Sequence, residues 1–397
     1  MSFYFDNAAT TFPKPECVYS FMDSFYREHG GNAGRGQYKI AAEASKVAAE
    51  TRVFIQKILG CPNKDMFFAP GATFALNMVI QGLLSDFDFS GNGRAGLGKK
   101  KTVYISPFEH NSVTRVLRHF EKIGAAEVKT LFVSEDFEYE IEKINAQFAE
   151  NPPDIVIVSH ASNVIGLVAP VLEIFAAAKK FGAATVTDMA QTAGLVPLDT
   201  ASDLVDFAVF AGHKTLYGPF GIGGFAKSRN VALEPVLFGG TGVESANQDM
   251  PENIPGRYEM GSQNICAVAG LHAAAEWFLR NAEEIRAVEE KNHRRLLEIL
   301  RRYDFVKILG PADRFAEKTK CIGVVSALFE GYSAENIGNV LDEKEIAVRT
   351  GLQCSPLAHK FLGTFPAGAV RFSVGYFTSE EDFCALENAL GYIKVNR

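Results

Sequence analysis

Hydrophobic positions fall first into helical spacing and then into a repeating alternation. Residues 15–29, PECVYSFMDSFYREH, place Val18, Phe21, Met22 and Phe25 on one helical face and stop at Gly30-Gly31. Residues 41–59 repeat the pattern through Ala44, Val47, Ala48, Ile55, Ile58 and Leu59, and end at Gly60. From there MFFAP, KTVYISP, DIVIVSHAS, AATVTDMAQ and VDFAVFAGHK form short, nearly continuous apolar runs. TFALNMVIQGLL, NSVTRVLRHFEKI and VLEIFAAAKKFG carry helical periodicity between them. Apolar strands alternating with helices predict an α/β fold with a mostly parallel sheet, flanked by helices and buried on both faces.

The later chain differs. AVAGLHAAAEWFLR and IRAVEEKNHRRLLEILRRY read as two long helices with charged faces, followed by the short strands CIGVVSALF and AVRFSVGYF. The expected organisation is a large domain over 15–276 and a smaller α/β C-terminal domain over 277–397, with segment 1–14 packing against the smaller one. A length of 397 residues suits more than one core.

Composition narrows the function classes. Apolar residues make up 47% and charged residues 22%, as in a globular protein, and the net charge of −7 argues against nucleic-acid binding. No apolar run reaches the roughly 18 residues of a membrane-spanning helix. The start, MSFYFDNAAT, has no basic residue and does not read as a signal peptide. Cysteines 17, 61, 266, 321, 354 and 384 form no C-x-x-C, so neither a zinc motif nor a disulfide framework is expected. They read as reduced, mostly half-buried residues of a cytoplasmic protein, and no metal site is expected. GNGRAG at 91–96 matches G-x-G-x-x-G literally, but no helix follows it, so a surface loop is expected.

In open parallel sheets ligands bind beyond the carboxyl ends of the strands, so the polar residues there are the ones to collect. PGATF offers a turn, a helix N-terminus and Thr73, which suit an anion or an ordinary cap. His110 follows the second strand, His160 and Asn163 the third, Asp188 and Gln191 the fourth, and His213-Lys214 the fifth. A carboxylate at a buried strand end needs a cationic or hydrogen-bonding partner. A buried lysine loses its proton more readily and can then form a Schiff base. An anion site, an acid, an imidazole and such a lysine together fit pyridoxal 5′-phosphate (PLP).

With these residues in place, the sequence resembles the class V aminotransferase superfamily and, within it, the cysteine desulfurase and selenocysteine lyase family. The matching stretches are FDNAATTFPKP, PGATFALN, EHNS, SNVIG, TDMAQ, GHKTLYGPFGIG, VRTGLQCSP and VRFSVGY, in family order from residue 5 to 376. The resemblance implies a fold-type I PLP enzyme acting as a homodimer. Lys214 would be the Schiff-base lysine, Asp188 the partner of the pyridine nitrogen, and Gln191 a contact of the ring hydroxyl. His110 would stack on the ring. Thr73 and His213 would hold the phosphate, with Ala72 beside them. Asn163 and Arg371 would meet the substrate carboxylate, and Arg349 would border the site. Ser262 would reach the cofactor phosphate of the partner subunit.

Cys354 lies in the loop that, in this family, hangs over the cofactor. The implied reaction converts L-cysteine to L-alanine and leaves sulfur on Cys354 as a persulfide, from which an acceptor protein could take it. Selenocysteine lyase, another class V reaction, or a low-activity sulfur-relay partner remain alternatives. Two departures from the family pattern bear on this. Ala211 stands where relatives usually carry Ser, and Leu352-Gln353 precedes the cysteine where a His is common.

Overall fold

The computed structural model of the chain describes residues 3–33, 36, 38–85, 100–313 and 320–396. The GNGRAG motif lies outside the described residues. The chain opens with β1 (Phe3–Tyr4), α1 (Glu16–His29) and α2 (Lys39–Leu59). A central run follows: β2 (Asp65–Ala69), α3 (Ala72–Leu83), β3 (Lys101–Ile105), α4 (Asn111–Lys122), β4 (Ala126–Thr130), α5 (Ile141–Glu150), β5 (Ile155–Ser159), α6 (Val171–Lys179), β6 (Ala184–Asp188), β7 (Phe207–Ala211) and β8 (Gly223–Lys227). Helix α7 (Ile265–Arg301) leads to β9 (Val306–Ile308), β10 (Val324–Phe329), α8 (Ala334–Glu343), β11 (Ile346–Ala347), β12 (Arg349–Gly351), α9 (Pro356–Phe361), β13 (Ala369–Ser373) and α10 (Glu380–Val395).

The central sheet has the order β2-β8-β7-β6-β5-β3-β4. Strands β7, β6, β5, β3 and β4 run parallel, while β8 lies antiparallel between β7 and β2. The inner strands β5 and β7 are almost wholly apolar because each face of the sheet has its own core. In β5, Val156 and Val158 join the core built with α2, α6 and α7, whereas Ile155 and Ile157 join the one built with α3 and α4. Each fully buried side chain of this kind contributes roughly 1.5–3 kcal/mol. The predicted mostly parallel sheet with flanking helices is the fold observed.

Strands β8 and β4 and helix α7 depart from the expectation, and helices α5, α8, α9 and α10 are not singled out in the sequence. Strand β8 has no apolar run because Gly223 and Gly224 occupy its start. A Cβ on Gly224 would lie 2.0 Å from the Phe67 carbonyl oxygen, so only glycine lets β8 lie between β2 and β7. Strand β4 is an edge strand, half exposed, and its sequence AEVKT shows no continuous apolar pattern. The two expected late helices are one 37-residue helix, α7. The intervening residues 281–284, NAEE, contain neither Gly nor Pro, and nothing stops the helix there.

The first half of α7 packs against α1 and α2. Its last turns supply Leu296, Leu297, Ile299 and Leu300 to a separate core over the antiparallel sheet β12-β13-β10-β9. The N-terminal segment belongs to that layer too. β1 pairs with β11, Phe5 is fully buried in the same core, and Asp6 bridges to Ser373. All six cysteines are free. Cys17, Cys354 and Cys384 are exposed, contrary to the expectation of half-buried thiols, because each lies on a solvent-facing part of its helix or loop.

Candidate active site

The carboxyl ends of the central strands wall a cavity of about 510 Å³. Among its lining residues are Ala72, Thr73, His110, Asn163, Asp188, Gln191, His213 and Lys214. Cys354, Ser262, Arg349 and Arg371 do not line it.

After β2, Pro70-Gly71 turn the chain into α3, whose first turn carries Ala72 and Thr73. No side chain caps that helix, so its first N–H groups open towards the cavity as an anion-binding end. His213 faces the same space from beyond β7. Its ring stacks on Phe220 at 4.7 Å, and its Nδ1 is buried without a hydrogen-bond partner. Burial, with the charges of Lys214 and Lys14, pushes His213 down to about 3, so the ring is neutral at ordinary pH.

Lys214 is walled in by protein, with part of its surface open to the cavity. Burial lowers its pKa, and Asp188 pulls in the opposite direction. Asp188 ends β6, accepts from the Ala190 N–H at 2.9 Å, and is held above the usual carboxylate range by burial. His110 caps α4. Its Nδ1 accepts from the Ser112 N–H at 3.0 Å, so the ring proton belongs on Nε2. Burial, reinforced by nearby cations, pushes this histidine down to about 4. Gln191 donates from Nε2 to the Ala8 carbonyl at 2.9 Å, which leaves its amide oxygen for other partners. Ala211 lines the cavity without a hydroxyl.

Asn163 is less free than its position suggests. Its Nδ2 donates to the Gln353 carbonyl at 2.8 Å, and its Oδ1 accepts from Ser355 Oγ at 2.7 Å. Arg371, on β13, is 3% exposed. It donates from Nη1 to the Asn163 carbonyl at 3.0 Å and from Nη2 to Asp6 Oδ1 at 2.6 Å, while Nε is buried without a partner. Arg349 is exposed. Cys354 is also exposed. Ser262 lies in an exposed loop, where its Oγ accepts from Asn32 Nδ2 at 3.1 Å.

The sequence spans that collect at this cavity lie far apart in the chain, and residues 3–386 match the family model Aminotransferase class-V as one continuous stretch. The chain belongs to the aminotransferase class-V family. Among its relatives, "Probable cysteine desulfurase 2" of Mycobacterium leprae is 31% identical, covering 95% of this chain and 88% of the relative. "Probable cysteine desulfurase" of Halalkalibacterium halodurans is 29% identical, covering 98% and 92%. The apo structure of a cysteine desulfurase from Thermococcus onnurineus superposes with a TM-score of 0.87 at 27% identity, covering 99% of this chain and 94% of that one.

Beside this cavity, bonded to the lining residues Ser159 and His213, lie two residues that sequence reasoning did not single out. Glu109, just before His110, is fully buried and accepts from both the N–H and the hydroxyl of Ser159, at 2.6 and 2.7 Å. Burial pushes its carboxyl up to about 8. Lys14 donates to the His213 carbonyl at 2.7 Å and to Thr11 Oγ1 at 2.8 Å, and burial lowers it to about 7. Both lie inside the family stretches EHNS and TTFPKP. Their only signal was a charge next to residues that had to be buried.

Proposed function

We propose that this chain is a PLP-dependent cysteine desulfurase that passes the sulfur of L-cysteine to Cys354 as a persulfide. One relationship carries the reading: Asn163, which lines the cavity with Lys214 and Asp188, donates from Nδ2 to the Gln353 carbonyl at 2.8 Å and so ties the loop that bears Cys354 to the cavity wall.

The residues present suit PLP. The unpartnered Nδ1 of His213 and the uncapped start of α3 form an anion cradle for the phosphate. Lys214 would serve as covalent anchor, Asp188 would pair with the pyridine nitrogen, His110 would stack on the ring, and Gln191 would offer its amide oxygen to the ring hydroxyl. PLP bound there supplies an electron sink that makes bonds to the amino acid's carbon skeleton breakable.

The chain's own groups do the rest. Released from its covalent role when the substrate amine takes its place, Lys214 accepts the α-proton and returns it, since burial lowers its pKa and enlarges its free-base fraction. His110 stays neutral, with its proton on Nε2. The remaining N–H of the Asn163 amide is a donor for the substrate carboxylate at the cavity, and Arg371 stands behind it with the N–H groups not already bonded to the Asn163 carbonyl and Asp6. The Cys354 thiolate bonds to the substrate sulfur as the Cβ–S bond breaks. The electron pair stays with the carbon skeleton, which takes up a proton and leaves as alanine. Exposure of Cys354 makes the persulfide accessible to an acceptor. Ser262 does not line its own cavity, which fits a homodimer in which it serves the partner's phosphate.

Turnover of L-cysteine and L-selenocysteine by wild type and Cys354→Ala, with alanine measured, tests the reading. Wild type is expected to form alanine from cysteine and to carry one added sulfur on the peptide holding Cys354. Cys354→Ala is expected to fall to near background with cysteine and to keep part of its selenocysteine turnover. Wild-type sulfide release by the variant would overturn the persulfide role. Alanine from selenocysteine alone would make the enzyme a selenocysteine lyase.

A further inference from the structure

The loop that presents Cys354 is built in an unusual way. Gln353 and Cys354 both have positive φ, 42° and 59°, and neither is glycine. The left-handed region is unfavourable for a residue with a Cβ, and here it is adopted twice in succession. Something must hold this conformation in place.

The flanking carbonyls are tied first. The Gln353 carbonyl accepts from Asn163 Nδ2 at 2.8 Å, and the Cys354 carbonyl accepts from the Asn111 N–H at 2.8 Å, next to His110. Both donors belong to the part of the chain that walls the cavity. The side chain of Gln353 is tied on the other side. It is 5% exposed, and its Nε2 donates to the Ala369 carbonyl at 2.9 Å. A carbonyl only accepts, so this contact fixes the amide's orientation and turns Oε1 towards His359 Nε2, 2.7 Å away. Oε1 also only accepts. His359 must therefore carry its proton on Nε2, and Nδ1 accepts from Thr364 Oγ1 at 2.7 Å. The ring is fully buried and every polar atom of it is used. Gln353 thus faces the back of the loop, away from the cavity, so it is no proton donor to the substrate.

We propose that His359 is a positioning residue. Gripped by Thr364, it holds the Gln353 amide, and through it the left-handed Gln353-Cys354 pair that sets where the Cys354 thiol is presented. This deepens the proposed function and rests on Cys354 being the sulfur acceptor.

The test uses the full-length PLP-loaded protein and three variants. His359→Leu fills the space without hydrogen bonds. His359→Gln can restore a donor near the Nε2 position. Gln353→Gly removes the anchor, while glycine accepts positive φ without strain. Hydrogen exchange of the 352–362 peptide and the rate of Cys354 alkylation by iodoacetamide report the loop directly. His359→Leu is expected to raise exchange about tenfold and to change the alkylation rate several-fold. It should lower kcat with L-cysteine about tenfold at nearly constant KM. His359→Gln is expected to bring each readout back to within about threefold of wild type. If His359→Leu fails to fold, Gln353→Gly must show the same loosening. Wild-type exchange and alkylation in a folded His359→Leu, or in Gln353→Gly, would overturn the proposal. If the wild type does not turn over cysteine at all, the proposed function fails, whereas exchange and alkylation still decide whether His359 holds the loop.

Discussion

Arg349 and Arg371 stand directly opposite each other on the antiparallel strands β12 and β13, and Asp6 is the carboxylate that balances the buried member of the pair. Like charges across a sheet repel, and Arg349 does lower the pKa of Arg371, though burial lowers it more. Asp6 comes from the N-terminal segment, just beyond β1. Asp6→Asn should keep the packing and remove the charge. We expect stability to fall by about 1.5–3 kcal/mol, the worth of a hydrogen bond to a charged group. The urea midpoint measures this, and an unchanged midpoint would mean that the ion pair contributes nothing.

Lys214 is expected to be the lysine that bonds to PLP. Borohydride reduction of the loaded protein followed by peptide mapping should place the label on Lys214, and Lys214→Ala should carry none. A label on Lys14, the other lysine beside His213, would move the chemistry to the far side of that histidine.

Glu109 sets a pH dependence. Its folded-state pKa is raised from 4.5 to about 8, chiefly by burial. Below pH 4.5 the carboxyl is neutral in both the folded and the unfolded chain, and its contribution to stability is fully present. Between 4.5 and about 8 the unfolded chain gives up the proton and the folded one keeps it, so stability falls as pH rises. At about 1.4 kcal/mol per pKa unit the loss is roughly 5 kcal/mol at most. Glu289, also buried and raised, acts with the same sign, so the comparison must be with Glu109→Gln. Chemical denaturation from pH 5 to 8 should show a shallower decline in the variant. Parallel curves would show that Glu109 does not titrate in this window.

Much of this arrangement was legible in the sequence, for a physical reason. A parallel sheet puts the residue after each strand at one edge, so Asp188, His213 and Lys214 could be grouped from strand order alone. Strand β8 was hidden because close backbone contacts demand glycines where a strand normally shows β-branched residues. Helix α7 reads as two because the apolar spacing lapses over NAEE at 281–284, although nothing there ends a helix. The ties around Cys354 were illegible for another reason. Asn163 and Gln353 are 190 residues apart, and no local pattern encodes a contact of that range. Likewise a buried glutamate such as Glu109 looks like any surface charge until its hydrogen-bond partners are known.

Helix α7 has a mechanical consequence. At 1.5 Å per residue its 37 residues make a rod about 55 Å long, rooted at one end beside the lysine-bearing sheet and at the other in the layer that carries β12 and β13. An unbroken rod shared by two layers works as an axle without a joint. Swinging one layer against the other would mean bending the rod or tearing apolar side chains from one of its seats. Rotation of the Cys354 and Lys214 side chains is a far cheaper way to change what lies between them than rotation of one layer against the other.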